Sequence, residues 1–140
     1  MTSKEKIAWL KRYRGINRRI NRLLEEKSRW WGLATKRTQT ISDMPHGGNG
    51  EDKTQLAIEK IVEIEKQIDD EIDKLVKVRS EIETAIDTLP NETLKELMER
   101  RYIDGQKWEQ IAAAMMYDYR WVLRLHGKAL SMLNTPQKAT

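Results

Sequence analysis

Arg120 and Arg124 stand four residues apart in the stretch YRWVLRLHGKAL, residues 119–130. Residues at that spacing share one face of a helix. An arginine there can donate two hydrogen bonds to O6 and N7 of guanine, or bind phosphate, and Leu123 between them suits the methyl group of thymine. Tyr119 occupies the start of the same helix, where side chains commonly reach base edges, with Trp121 near the boundary of that face. Lys107 and Lys128 are point charges suited to phosphate. Together Lys107, Tyr119, Arg120, Trp121, Leu123, Arg124 and Lys128 form a candidate interface for double-stranded DNA. The same cations on an amphipathic helix also make an ordinary solvated face, and the residues alone leave both readings open.

Little else in the chain has the makings of chemistry. Cysteine is absent, which excludes thiolate nucleophiles, thiolate metal sites and disulfides and suits a reducing compartment. The only histidines are His46 and His126, and neither has carboxylates at ligand spacing. No catalytic group, metal or cofactor is expected, so the chain reads as a binding protein and not an enzyme. His126 reads as a packed imidazole, with a phosphate contact as its alternative. The run Asp69, Asp70, Glu71 and Asp73 points around a helix without converging, which is the behaviour of a solvated face.

The candidate face requires a scaffold behind it. Ile111, Ala112 and Met115 are expected to pack on Val122, Leu125 and Leu130, giving helices over 108–115 and 119 to about 133 with a break at Met116, Tyr117 and Asp118. Asp118 is the expected N-cap of the second of these. Upstream, Leu94, Leu97, Met98 and Tyr102 mark a further amphipathic helix ending at Gly105, a residue suited to a left-handed cap. Pro90, with Thr88 or Asn91 as cap, starts this unit. Three short helices with a tight turn before the last amount to a helix-turn-helix domain over 89–133, followed by a flexible tail over 134–140.

The remainder is extended and helical. Trp9, Tyr13, Ile16, Ile20, Leu23, Trp30 and Ala34 recur by threes and fours with Lys27 interrupting, so one helix with one seam is expected from Trp9 onward, weakened at Gly15. Residues 35–52 collect Thr, Ser, Pro, Gly and Asn and are expected to form a loop. Beyond it Ile61, Ile68, Leu75, Ile82 and Leu89 repeat every seven residues, with Ile58, Ile64, Ile72, Val78 and Ile86 expected on the same face. That coiled coil needs a partner. The first helix, folded back, is the cheaper one and a second copy of the chain is its rival, so a homo-oligomer through the coil stays open. Residues 1–38 carry 12 basic and 3 acidic side chains, whereas 51–99 carry 7 and 15, so the two arms attract. The fold expected is all-α, a long antiparallel helical hairpin over 1–88 joined to the helix-turn-helix. No apolar run approaches the roughly 20 residues of a membrane span, and a cytoplasmic location is expected.

Smaller features remain. Trp30 and Trp31 are adjacent and cannot both face one seam; one packs, and the other caps the coil or anchors a partner. The glycines of residues 44–50 lack the Gly-Lys-Ser/Thr of a nucleotide loop and read as a turn. Lys11, Arg12, Arg14, Arg18, Arg19 and Arg22 suit either DNA backbone or intramolecular acids.

The segment 89–130 resembles region four of sigma-70-type RNA polymerase sigma factors, through Leu89-Pro90, Leu97, Arg101-Tyr102, Gly105, Ile111-Ala112, Asp118, Val122, Leu125 and Ala129-Leu130. A narrower resemblance covers nearly the whole chain: the RinA and ArpU type late-gene transcriptional regulators of Firmicutes phages and prophages. It rests on Arg101 to Gly105, Trp108, Met115, Tyr117, Leu125 to Leu130 and Ile41 to Pro45 followed by Gly47-Gly48. Met116 stands where glycine is common in that turn, and Asp118 replaces the usual Ser or Thr cap. The resemblance implies a regulator of promoter DNA acting with host RNA polymerase, with Tyr119, Arg120, Leu123 and Arg124 at the base-reading positions. A small terminase-like DNA-packaging subunit, or an interaction module that grips polymerase and not DNA, are the alternatives.

Overall fold

The structure, a computed structural model, describes the backbone of residues 1–43 and 49–135 and the side chains of 1–35 and 52–135. Six helices follow one another among these residues: α1 (Ser3–Leu10), α2 (Arg12–Asp43), α3 (Asn49–Asp87), α4 (Glu92–Tyr102), α5 (Trp108–Met115) and α6 (Tyr119–Met132). No strand occurs among them, and the all-α expectation is borne out. The turn expected over 44–50, including His46, lies largely outside the described residues, as do residues 136–140 and the side chains of Ile41 to Pro45.

Helix boundaries differ from those expected in two regions. The helix predicted from Trp9 onward starts earlier and is divided at Lys11. Thr2 caps its beginning, accepting from the Glu5 N–H at 3.1 Å while the Glu5 carboxylate accepts from the Thr2 N–H at 2.7 Å. At the division, Arg12 Nε donates to the Trp9 carbonyl at 3.0 Å, occupying an oxygen that a continuous helix offers to the backbone four residues on. The Arg12 guanidinium also lies 4.7 Å from the centre of the Trp9 ring and 2.8 Å from Glu81. The second difference is the loop expected over 35–52, which shrinks because α2 reaches Asp43 and α3 begins at Asn49. Residues 35–43 contain Thr and Ser but neither Pro nor Gly, and Thr35 Oγ1 donates back to the Trp31 carbonyl at 2.9 Å, a bond by which a helix accommodates a hydroxyl. The strong breakers Pro45, Gly47 and Gly48 all fall within 44–48.

Residues Asn17–Lys74 form one compact unit. Arg19 pairs with Glu71 at 3.1 Å and Lys27 with Glu65 at 3.0 Å, so a step forward along α2 is a step back along α3 and the two run antiparallel. Between them Ile20 and Ala34 of α2 are buried with Ala57, Ile61, Ile64 and Ile68 of α3. Two seam expectations fail: Ile58 is 45% exposed and Ile72 41% exposed. The second position of the heptad is taken by Ala57, Ile64 and the half-buried Glu71, which leaves Ile58 and Ile72 one residue past the contact.

Met1–Ile16 and Leu75–Thr140 form the other unit. The boundary expected after Thr88 therefore does not coincide with the edges of the units, which fall within α2 and α3. Its most deeply buried side chains are Leu10, Ile82, Ile86, Leu94, Leu97, Met98, Ile111 and Val122. Here α6 is central, touching α1, α4 and α5. Lys6 Nζ donates to the Leu130 carbonyl at 2.7 Å, joining α1 to the far end of α6. Asn91 caps α4, its Oδ1 accepting from the Leu94 N–H at 2.9 Å. After α4 the backbone turns through Gly105 at φ 71°, where a side chain would strike the Arg14 guanidinium.

Candidate functional site

The turn from α5 to α6 spans three residues. Met116 adopts the left-handed conformation, φ 59° and ψ 43°, with the Tyr117 N–H returning to the Ala112 carbonyl at 3.0 Å. Asp118 then opens α6: Oδ2 accepts from the Arg120 N–H at 3.2 Å and its carbonyl from the Val122 N–H at 3.1 Å. Left-handed geometry is ordinary for glycine and costly for a side chain, yet Met116 is 88% exposed, so no packing holds it there. Ile111 and Ala112 of α5, and Val122, Leu125, Ala129 and Leu130 of α6, are buried and fix how the two helices meet.

Opposite that buried stripe, α6 presents Arg120, Leu123, Arg124 and Lys128 to solvent. Gly127 lies among them, and space beside it is open, since a Cβ there would meet no heavy atom within 4 Å outside its own stretch of helix backbone. No acidic residue occurs anywhere in α6. Tyr119 is exposed at its first turn, and Trp121 is exposed on the flank of the arginine face, about 100° around the helix from Arg120. Lys107 is not on this helix: it precedes α5, its N–H donating to Gln110 Oε1 at 2.7 Å and its side chain in solvent. The structure thus groups Arg120, Leu123, Arg124 and Lys128, sets Tyr119 and Trp121 at the edges, and leaves Lys107 on a separate element.

His126 points away from this face. Its Nε2 is 2.7 Å from the Tyr102 hydroxyl, its ring centre is 4.5 Å from that of Trp108, and the Arg101 guanidinium lies 4.4 Å from the centre of the Trp108 ring. Arg101 also donates to the Gln106 carbonyl at 3.0 Å. Burial, reinforced by the positive charge of Arg101, pushes the imidazole down to about 4. Burial pushes the Tyr102 phenol up to about 12, against the opposing influence of Arg101. Both partners are neutral around pH 7, and the stack joins α4, α5 and α6 behind the arginine face. No spacing rule reveals it, because Trp108 and Tyr102 lie 18 and 24 residues from His126.

The basic N-terminal stretch divides. Arg12 and Arg19 are engaged by Glu81 and Glu71. Arg14, Arg18 and Arg22 are exposed and have no carboxylate within ion-pair distance among the described residues. No group of His, Cys, Asp or Glu among the described residues could hold a metal ion, and no described helix is long and apolar enough to cross a membrane. Compared with protein-family models, curated proteins and solved structures, the chain matches none.

Proposed function

We propose that the chain is a sequence-specific DNA-binding transcriptional regulator in which α4 to α6 act as a helix-turn-helix of the sigma-region-four kind and α2 with α3 as an antiparallel coiled hairpin. The observation that carries this reading is the solvent face of α6, where Arg120, Leu123 and Arg124 adjoin open space at Gly127 and the helix itself carries no carboxylate to repel phosphate. Such a face, braced from behind by α5 and begun at a capped N-terminus, suits entry into the major groove. Arg120 and Arg124 then read guanine edges, Leu123 meets a thymine methyl, and Lys107 and Lys128 hold phosphates. The resemblance to RinA and ArpU type regulators extends the reading to promoters of phage late genes, with host RNA polymerase as partner in the bacterial cytoplasm. No catalysis is needed.

Selection of binding sites from random duplex DNA at fixed salt tests this, native chain against Arg120→Ala/Arg124→Ala. A motif recovered by the native chain and lost by the variant supports direct readout; no enrichment by folded native protein sinks it. On the recovered site Arg124→Ala should cost about 1 to 3 kcal/mol, with much less lost on random DNA. Exposed Met116, Tyr117 and Trp121 beside the arginine face favour one second reading, a module that grips polymerase directly. Salt-insensitive failure to bind any duplex would select that reading.

A further inference from the structure

The seam that closes α2 on α3 uses one row of each helix, and a second row runs beside it on both. On α2 it occupies positions 17, 21, 24, 28, 31 and 35, each one residue past a seam position, with alternating steps of four and three. Those positions hold Asn17, Asn21, Leu24, Ser28, Trp31 and Thr35, without a single charge, in a segment that otherwise carries five basic and two acidic side chains. Trp31 is 62% exposed. On α3 the equivalent row is Ile58, Val62, Glu65, Asp69 and Ile72, whose three apolar members are all exposed. Glu65 is already neutralised by Lys27 at 3.0 Å.

Both rows lie on the same side of the pair. Moving one residue past the seam rotates by about 100° in the same sense on each helix, and because the helices are antiparallel, equal rotations end on one side. The Lys27–Glu65 bridge spans that side. Helices with two adjacent heptad rows pack neighbours against both, as in four-helix bundles. Absence of charge around an exposed aromatic is the composition of an interface core.

We infer that this face of the Asn17–Lys74 unit binds a second copy of the chain, closing a four-helix bundle about a two-fold axis parallel to the helices. Charge selects both occupant and axis. Residues 17–35 are net basic, whereas 52–74 carry eight acidic and four basic side chains. The parallel axis lays the basic helix of each copy over the acidic helix of the other. A two-fold across the helices stacks basic on basic. In the register set by Arg19–Glu71 and Lys27–Glu65, Trp31 stands level with Ile58 and Val62, and Asn21 level with Asp69. The parallel axis therefore seats each Trp31 on the partner's Ile58 and Val62 and gives Asp69 an amide donor from Asn21, which a carboxylate needs when covered. This holds whether or not α6 reads DNA.

Sedimentation equilibrium of the full chain across micromolar concentrations tests the inference. The native chain should show about twice its 16.5 kDa mass. Trp31→Glu and Val62→Glu should each raise the dimer dissociation constant on the order of a hundredfold. Leu33→Glu and Leu56→Glu, exposed on the opposite edge, should leave it unchanged, with far-UV circular dichroism confirming helix in all four. A native monomer, a ring, or a dimer that responds to Leu33 and Leu56 but not to Trp31 and Val62 overturns it. For the axis, Asn21→Cys and Asp69→Cys chains mixed and oxidised should form the mixed disulfide in preference to either homodisulfide. The reverse preference overturns the parallel axis.

Discussion

His126 shows how a titratable side chain on a basic helix becomes structural. Its imidazole is turned toward Tyr102 and Trp108, away from Arg120 and Arg124, and burial lowers its proton affinity so that it titrates near 4 instead of 6.5. Between those values the unfolded chain binds a proton that the folded chain refuses. The stabilisation is therefore complete above about pH 6.5, declines as pH falls, and is fully lost below about 4. Partial exposure of the ring holds the amount to about 1 to 2 kcal/mol. Urea unfolding at pH 7.5 and 4.5 checks this: the native chain should lose more stability between the two than His126→Phe, whose aromatic ring keeps the contact with Trp108 without titrating. Equal losses would show that carboxylates elsewhere account for the whole pH dependence.

At the scale of elements, the α5–α6 turn combines an exposed side chain with an unfavourable backbone. Met116 has φ 59° and little packing to lose, so Met116→Gly should stabilise the chain by about 1 kcal/mol, seen as a higher thermal midpoint. A lower midpoint would mean that the thioether makes contacts that outweigh the strain. The spans of α5 and α6 were readable because their punctuation is local: Asp118 caps, and Ile111, Ala112, Val122 and Leu125 keep helical spacing. Asn91, one of two possible caps, proves to be the one that holds α4. Other boundaries were hidden for physical reasons. Thr and Ser in 35–43 are nearly neutral toward a helix and look the same in a loop. Ile58 and Ile72 stand one residue beyond the seam, and in sequence an isoleucine there keeps helical spacing with Ile61 and Ile68 and so reads as a core residue. The arginine face itself was legible, since it follows from helical period alone, whereas the stack behind it joins residues from three helices.

Over the whole molecule, the largest feature absent from the sequence pattern is the docking of α1 on α6. Lys6 and Leu130 meet across 124 residues of chain, and no periodicity encodes such a contact. Its consequence is that the segment carrying the candidate DNA face is not self-contained: α1 belongs to the same compact unit as α4, α5 and α6, and Leu10 at its end is fully buried. Truncating that side chain leaves a cavity the surrounding helices fill only in part, so Leu10→Ala should destabilise this unit by about 2 to 4 kcal/mol. Because α6 rests on α1 as well as on α4 and α5, the loss should reach Val122 and Leu125 although they lie more than a hundred residues away. Hydrogen exchange of the α6 amides in the native chain and in Leu10→Ala measures this directly. Faster exchange throughout α6 supports one cooperative unit built from both ends of the chain. Unchanged α6 protection, with acceleration confined to α1, would show that the C-terminal helices stand alone and that α1 merely leans on them.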